Sequence, residues 1–229
     1  MSAVIDWTSI VLTLRLGFIT ACLLTVFGLP LAWWLAGTRS RWRVPIEALV
    51  ALPLVLPPTV LGFYVLLMLG ARGPLGGLYE QFSAPLLPFT FQGLVVASFL
   101  YSLPFAVQPF TVAIRRVDRK WIEASWCLGE SSLVTFWRVI LPLAWPGVLS
   151  GFVMSFAHTL GEFGVALMVG GNIAGVTRTV SISIYDSVQA MDYETAAWTS
   201  MLMLGSSFAV LCVVYWLQGN FNASWLRKR

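Results

Sequence analysis

The sequence is poor in charge. Asp, Glu, Lys and Arg make up 10% of its 229 residues, whereas 58% of the residues are hydrophobic, with eleven Trp and fifteen Phe. Soluble domains carry about 25% charged residues, so this composition excludes an ordinary soluble protein and predicts a polytopic integral membrane protein. We expect residues 1–229 to form one all-α transmembrane domain that is surrounded by membrane lipid and has no nucleic-acid partner.

The residues that build reactive or metal-binding sites are also scarce. His158 is the only histidine, and Cys22, Cys127 and Cys212 show no spacing typical of a metal site. The chain lacks a Walker-type phosphate loop, a Rossmann glycine pattern and a Ser/His/Asp or Cys/His catalytic set. We therefore expect no catalytic residue, no metal and no cofactor bound by this chain. The cysteines are predicted to be small core residues without disulfides.

Five apolar runs dominate the chain. They cover residues 10–36, 46–69, 91–114, 139–160 and 195–217. Each is long enough to cross a hydrocarbon core of about 30 Å. The sequence therefore predicts a helical bundle of about five transmembrane helices.

The positive charges lie mainly on one side of this five-helix path. Of the 14 Lys and Arg residues, three are outer-side arginines, namely Arg15, Arg72 and Arg178. The other side carries Arg39, Arg41, Arg43, Arg115, Arg116, Arg119, Lys120, Arg138, Arg227, Lys228 and Arg229. By the positive-inside rule, we expect a multi-pass protein of the inner (cytoplasmic) membrane, with the N-terminus outside and the C-terminus and central loop in the cytoplasm.

The second run is interrupted by prolines. Pro57 and Pro58 remove backbone donors and drive the residues before them out of helical geometry, so this span should be kinked or partly unwound. Broken backbone at membrane depth is tolerated when it is buried in protein or lines a watery cavity. Pro57, Pro58 and Thr59 are therefore a candidate pathway segment, although a purely structural kink is the alternative. The outer loop that follows, residues 70–88, is predicted to be a surface turn.

Between the third and fourth runs, residues 115–142 form an amphipathic insert. Residues 118–128 are predicted to be one helix, and Gly129 to end it in a left-handed conformation. Ser131 or Ser132 should cap a second helix. The insert is thus predicted to be a cytoplasmic helix–turn–helix.

Prolines mark the C-terminal end of the insert. Leu141-Pro142 and Pro146 fall where the first turn of the fourth membrane helix would begin. They should hold the insert at a fixed angle to that helix. A rigid projection of this kind is suited to transmitting a movement from one protein to another.

The spacing within the insert resembles the EAA loop of permease subunits of ATP-binding-cassette importers. The matching residues are Glu123, Ala124, Ser125, Gly129, Val139, Leu141 and Pro142. Ser125 stands where the family usually has a second Ala, and Val139 where it usually has Ile. In that family the loop docks into a cleft on a cytoplasmic ATPase subunit, so the resemblance implies a coupling role here. An ordinary amphipathic loop packed on its own helices is the alternative.

Two other stretches resemble molybdate importer permeases, and the resemblance spans about residues 52–193. One contains LPPTVLG; the other contains HTLGEFG, GGNI and TRT, with Ala174 where the family normally has Pro. The resemblance implies a permease that pairs with a second copy and receives molybdate from an external binding protein. It also implies two cytoplasmic ATPase subunits, which would hold ATP and Mg and carry out all hydrolysis.

The candidate pathway and gate residues lie in the second and fourth runs. They are Pro57, Pro58, Thr59, Ser155, Thr159, Gly161, Glu162 and Phe163. Because a carboxylate repels a dianion at close range, we expect Glu162 to point away from the path, toward an outer-side arginine or a backbone donor. His158 is interpreted as a hydrogen-bonded partner of Glu162 or as part of the outer gate. The centres of the runs contain no Lys or Arg, so the anion should be held weakly.

Two alternatives stay open. A permease for tungstate or sulfate would share the topology and the loop, because tetrahedral dianions make similar demands on a pore. A stand-alone secondary transporter or a membrane enzyme would need intramembrane carboxylates or a catalytic set. Glu162 alone does not make such a set.

Overall fold

The computed structural model describes residues 5–81 and 86–226, which are helical apart from short connections and contain no strand. In chain order the helices are α1 (Trp7–Gly37), α2 (Arg43–Val55), α3 (Pro58–Leu69), α4 (Pro74–Gln81), α5 (Phe91–Arg115), α6 (Arg119–Cys127), α7 (Ser132–Thr135), α8 (Leu141–Leu160), α9 (Gly164–Gly170), α10 (Val180–Gln189) and α11 (Tyr193–Leu226). A π-helical turn, Phe136–Ile140, joins α7 to α8. The predicted all-α fold is confirmed.

Five helical stretches in the described residues are long and apolar enough to cross a membrane. They are Trp7–Gly37, Pro58–Gly77, Phe91–Arg115, Ser132–Leu160 and Tyr193–Cys212. The predicted number of spans is therefore confirmed. The basic tail at residues 227–229, on which part of the orientation argument depends, lies outside the described residues.

Helices α1, α5 and α8 form the centre of the bundle. Phe110 of α5 is fully buried and packs in one cluster with Leu24 of α1 and Val148 of α8. A Cβ at Gly151 of α8 would lie 2.5 Å from the Phe110 ring, and one at Gly147 would lie 2.2 Å from the Ala113 Cβ. Glycine is therefore required where these backbones approach, as is common between membrane helices.

The second apolar run is broken, as the prolines predict, and its membrane-spanning stretch begins only after the break, at Pro58. Helix α2 ends at Val55, and α3 begins at Pro58. Leu56 and Pro57 between them are extended, each with ψ 137°, because each precedes a proline. Beyond the break, α3 packs against α9, and a Cβ at Gly62 would lie 2.8 Å from the Met168 Cβ.

The amphipathic insert folds as the predicted helix–glycine–helix. The Asp118 side chain caps α6 by accepting a hydrogen bond from the Lys120 amide (3.0 Å). Gly129 follows the helix with φ +82°, a conformation that glycine adopts without steric cost. Ser131 then caps α7 by accepting from the Val134 amide (3.4 Å). We call residues 118–135 the hairpin.

Pro142 lies in the first turn of α8, as predicted, and α7, the π-turn and α8 are continuous from Ser132 to Leu160. The π-turn changes the backbone register just before Pro142, whose ring would otherwise meet the carbonyl of the preceding turn.

Two other predictions about local structure are wrong. The loop at residues 70–88 contains a helix, α4, which Pro74 opens at its first position. Cys127 and Cys212 are exposed free thiols rather than core residues.

Candidate functional site

The two halves of the hairpin are tied together by a buried hydrogen bond. The Ser125 and Thr135 hydroxyls lie 2.9 Å apart, and both side chains are buried. The backbone at Glu130 closes the turn by donating to the Ser125 carbonyl (3.2 Å). An alanine at position 125 could not make the side-chain bond, so the serine at this position fixes α6 against α7 directly.

The outer surface of the hairpin exposes large apolar side chains. Leu128 is 84% exposed and Trp126 is 49% exposed, and Leu133 and Trp121 are exposed as well. Leu128, Trp126 and Trp121 lie outside the stretches that are long and apolar enough to cross a membrane, and Leu133 lies at the very start of one of them. Contiguous exposed apolar side chains in such a place are typical of a protein-interaction surface.

The hairpin and the segment that follows it are anchored in the bundle. Ile122 and Leu141 pack against the central cluster of α1, α5 and α8. In the π-turn, Phe136 is buried against Trp33 of α1, with 4.5 Å between ring centroids. A force applied to the hairpin would therefore reach α1 and α8 through direct contacts.

The seven residues assigned to coupling lie in two places. Glu123, Ala124 and Ser125 are on α6, where Glu123 accepts a hydrogen bond from Arg119 (2.8 Å). Gly129 forms the turn. Val139 is in the π-turn, and Leu141 and Pro142 open α8. The coupling set thus covers both the projecting turn and its junction with the membrane helix.

Five of the eight candidate pathway residues line one cavity of about 610 Å³. Pro58 and Thr59 come from the start of α3, and Gly161, Glu162 and Phe163 come from the turn after α8. The other lining residues are Tyr101, Ala157, His158, Gly164, Leu167 and Met168. The lining includes no Lys or Arg.

The remaining pathway candidates lie away from that cavity. Ser155 and Thr159 are buried, and each hydroxyl donates to a carbonyl in its own helix, those of Phe152 (2.9 Å) and Ser155 (3.0 Å). Pro57 is exposed at the break before α3. The hydroxyls of Ser155 and Thr159 therefore serve the interior of the bundle.

Glu162 does not have the partner that the sequence suggested. Its side chain is 3% exposed, and neither carboxyl oxygen has a hydrogen-bond partner among the described residues. Arg178 instead approaches Asp186 (3.5 Å), and Arg15 lies over the Phe91 ring (4.8 Å). Burial without a partner penalises an ionised carboxylate far more than a neutral acid.

His158 is bonded to α5 and not to Glu162. Its Nδ1 lies 2.9 Å from the Ser102 hydroxyl, which in turn lies 3.0 Å from the Thr159 hydroxyl. The expected His158–Glu162 pair is therefore wrong, because α8 ends at Leu160 and Glu162 no longer follows its helical spacing. Ser98 and Ser102 are four residues apart and so share a helix face, but their spacing does not indicate which helix they meet.

A second polar cluster, which the sequence analysis missed, lies where α1, α2 and α5 meet. Arg115 donates to Glu47 (2.6 Å) and to the Leu35 carbonyl (3.1 Å), and Arg43 also donates to Glu47 (3.2 Å). The sequence does contain one indication of this cluster. Glu47 is the only acidic residue in the second run, and it follows Arg43 by one helical turn.

Five apolar spans, an anchored hairpin with an exposed apolar turn, and a cavity beside a broken helix together define a membrane-embedded transport component. The chain belongs to the family described as "Binding-protein-dependent transport system inner membrane component", which matches residues 28–227.

Individual relatives narrow this assignment. The chain is 51% identical to the molybdenum transport system permease protein ModB of Azotobacter vinelandii, over 92% of this chain and 93% of that protein. It is 33% identical to a probable sulfate transport system permease protein of Chlorella vulgaris, over 84% of this chain and 72% of that protein.

Solved structures agree in fold. A chain of the MetNI methionine ABC transporter in an inward-facing conformation superposes with a TM-score of 0.74, covering 93% of this chain and 94% of that chain. Its sequence identity of 16% limits this likeness to the fold.

Proposed function

We propose that this protein is the membrane-spanning permease subunit of an ATP-driven importer that moves molybdate across the inner membrane. The observation that carries the proposal is the 51% identity to a molybdenum transport permease over nearly the whole of both chains. The hairpin and the cavity, whose lining includes no Lys or Arg, support it independently, because the first suits docking to a partner and the second suits weak binding of an anion.

The hairpin is the proposed docking element for a cytoplasmic ATPase. Its exposed turn, with Leu128 and Trp126, would enter a cleft on that subunit. The Ser125–Thr135 hydrogen bond would hold the two helices of the hairpin together when the ATPase moves. Two permease copies would form the path, each gripped by one ATPase subunit. ATP and Mg would bind to the ATPase, and closure of the ATPase pair would move the two hairpins together and open the path outward.

The cavity beside the α2–α3 break is the proposed anion path. A dianion held tightly would need several charge-assisted donors, and the lining residues include no Lys or Arg. Weak binding suits a conduit, and selection would then rest with an external binding protein. The proposed orientation places the N-terminus outside and the hairpin and C-terminus in the cytoplasm.

Sulfate is the second candidate substrate, because sulfate transport permeases are about one-third identical to this chain. Tungstate has the same shape and charge as molybdate and stays within the proposal. The higher identity to the molybdenum permease favours molybdate.

Reconstitution tests the proposal. The permease, its ATPase and a cognate binding protein would be placed in proteoliposomes, and uptake of molybdate, tungstate and sulfate would be measured with and without ATP. We expect molybdate uptake that requires both ATP and the binding protein. ATP-independent uptake would contradict the importer assignment, and ATP-driven uptake of sulfate alone would correct the substrate.

A further inference from the structure

The buried hydroxyls beside His158 determine which of its ring nitrogens carries a proton. The Thr159 hydroxyl donates to the Ser155 carbonyl (3.0 Å). With that proton committed, the Ser102–Thr159 contact requires Ser102 to donate to Thr159. Ser102 then has no proton left for His158, so Nδ1 carries the hydrogen and donates to Ser102, and Nε2 is a bare acceptor.

The same contacts allow a second arrangement with the same number of protons. If the Thr159 hydroxyl turns toward Ser102, Ser102 is free to donate to Nδ1 of His158. Nδ1 is then an acceptor, and the neutral ring carries its hydrogen on Nε2. The Ser155 carbonyl still accepts its helical hydrogen bond in this arrangement, so no group loses its only partner.

Nε2 of His158 is accessible. Among the residues that the structure describes, it has no hydrogen-bond partner, and it is not one of the unpaired polar atoms that are fully buried. The open space beside the half-buried ring is the cavity of about 610 Å³ that Thr59 and Tyr101 also line. The ring is held in place by Phe105, which stacks on it at 3.9 Å, and by Tyr101 at 4.6 Å.

We propose that His158 is an anion contact of the transport path, and that its Nε2–H donates a hydrogen bond to a tetrahedral oxyanion when Ser102 donates to Nδ1. This inference rests on the proposed function and adds to it a substrate-binding residue. The lining contains Glu162 but no Lys or Arg, and burial without a partner favours the neutral form of that acid, so a neutral N–H donor suits a site that must bind a dianion and release it. Ser102 is a positioning residue, because it acts through the imidazole.

Because His158 is the only histidine of the chain, its protonation can be read directly. The permease would be labelled with ¹⁵N-histidine and assembled with unlabelled ATPase and binding protein, and the two ring-nitrogen NMR signals would be recorded with molybdate and with chloride. We expect molybdate, and not chloride, to move the Nε2 signal to the position of a protonated nitrogen. Unchanged signals in a complex that transports molybdate would overturn the proposal.

A matched pair of variants tests the same atom. The amide nitrogen of Gln reaches the position of Nε2, whereas that of Asn reaches only the position of Nδ1. Since a hydrogen bond to a charged group is at stake, His158→Asn should lower kcat/KM for uptake by roughly 10- to 100-fold. His158→Gln should retain most of the activity. Wild-type uptake by the Asn variant would contradict the proposal, and if both variants fail to assemble, the NMR result decides.

Failure of this inference can be separated from failure of the proposed function. A wild-type complex that imports no tetrahedral oxyanion refutes the importer assignment. A wild-type complex that imports molybdate, with an unresponsive His158 and a fully active Asn variant, refutes only the role of His158. Ser102→Ala provides a further check, because it should weaken uptake less than His158→Asn while altering the Nδ1 signal.

Discussion

The turn of the hairpin offers a sharp test of the coupling assignment through Gly129. This residue has φ +82°, and a Cβ added there would meet no atom within 4 Å. A side chain at this position therefore causes backbone strain without a collision. Placing an L-residue in the left-handed region costs about 1–2 kcal/mol, and a β-branched side chain costs more. Gly129→Val should thus distort the turn while the bundle stays folded.

The expected result follows from that strain. If the distorted turn must be restored before it docks, a cost of 1–2 kcal/mol weakens binding to the ATPase roughly 5- to 30-fold. The affinity of purified ATPase for the permease in detergent, and ATP hydrolysis dependent on molybdate and binding protein, would be measured. Gly129→Asn should come close to wild type, because Asn tolerates this conformation.

Gly175 provides a matched control. It has φ +76°, also with nothing within 4 Å of an added Cβ, and it lies between α9 and α10, far along the chain from the hairpin. Gly175→Val introduces the same kind of strain. Because this strain lies outside the hairpin, ATPase binding should stay unchanged. Normal coupling in Gly129→Val, or equal loss in Gly175→Val, would refute the assignment of the hairpin as the docking element.

Three further predictions concern packing, orientation and the gate. Gly151→Val should destabilise the protein in detergent by about 1–3 kcal/mol, seen as a lower Tm, because its Cβ would meet the Phe110 ring at 2.5 Å. In a cysteine-free background, a cysteine at Ser40 should be protected from an impermeant external reagent, whereas one at Gly77, where an added Cβ meets no atom within 4 Å, should react; the reverse pattern overturns the orientation. Glu162→Gln should retain much of the uptake, because the side chain is buried without a charged partner among the described residues, whereas Gly161→Leu should block it. A dead Gln variant beside an active Leu variant would contradict this view of the gate.

Local chemistry made part of the structure predictable. Consecutive prolines fix the break at Leu56 and Pro57, and Gly129 and Ser131 end and begin helices by rules that involve only their neighbours. Contacts between distant residues could not be predicted in this way. Ser102 and His158 are 56 positions apart, and which helix faces meet depends on packing of the whole bundle.

Residue type alone also failed to indicate what polar groups do inside the bundle. Thr159 and Glu162 were both selected as pathway residues, yet Thr159 points into the helix packing and Glu162 is buried without a partner among the described residues. His158 was interpreted as a partner of Glu162 or as part of the outer gate; it has no bond to Glu162, and it lines the cavity. These side chains have different roles because their surroundings in the folded protein differ, and a single sequence does not reveal those surroundings.

The different outcomes at two proline sites bear on how the protein would transmit motion. Pro57 and Pro58 are adjacent, so two donors are lost together and the span breaks, whereas Pro142 follows a π-turn that keeps the helix continuous. The unbroken helix from Ser132 to Leu160 has 29 residues, about 43 Å at 1.5 Å per residue. One end is the hairpin, and the other leads directly to Gly161 and Glu162 at the cavity. A continuous helix moves as one rigid unit, so displacement of the hairpin should move the cavity wall directly. The second apolar run, which also lines the cavity, can change its conformation at the break.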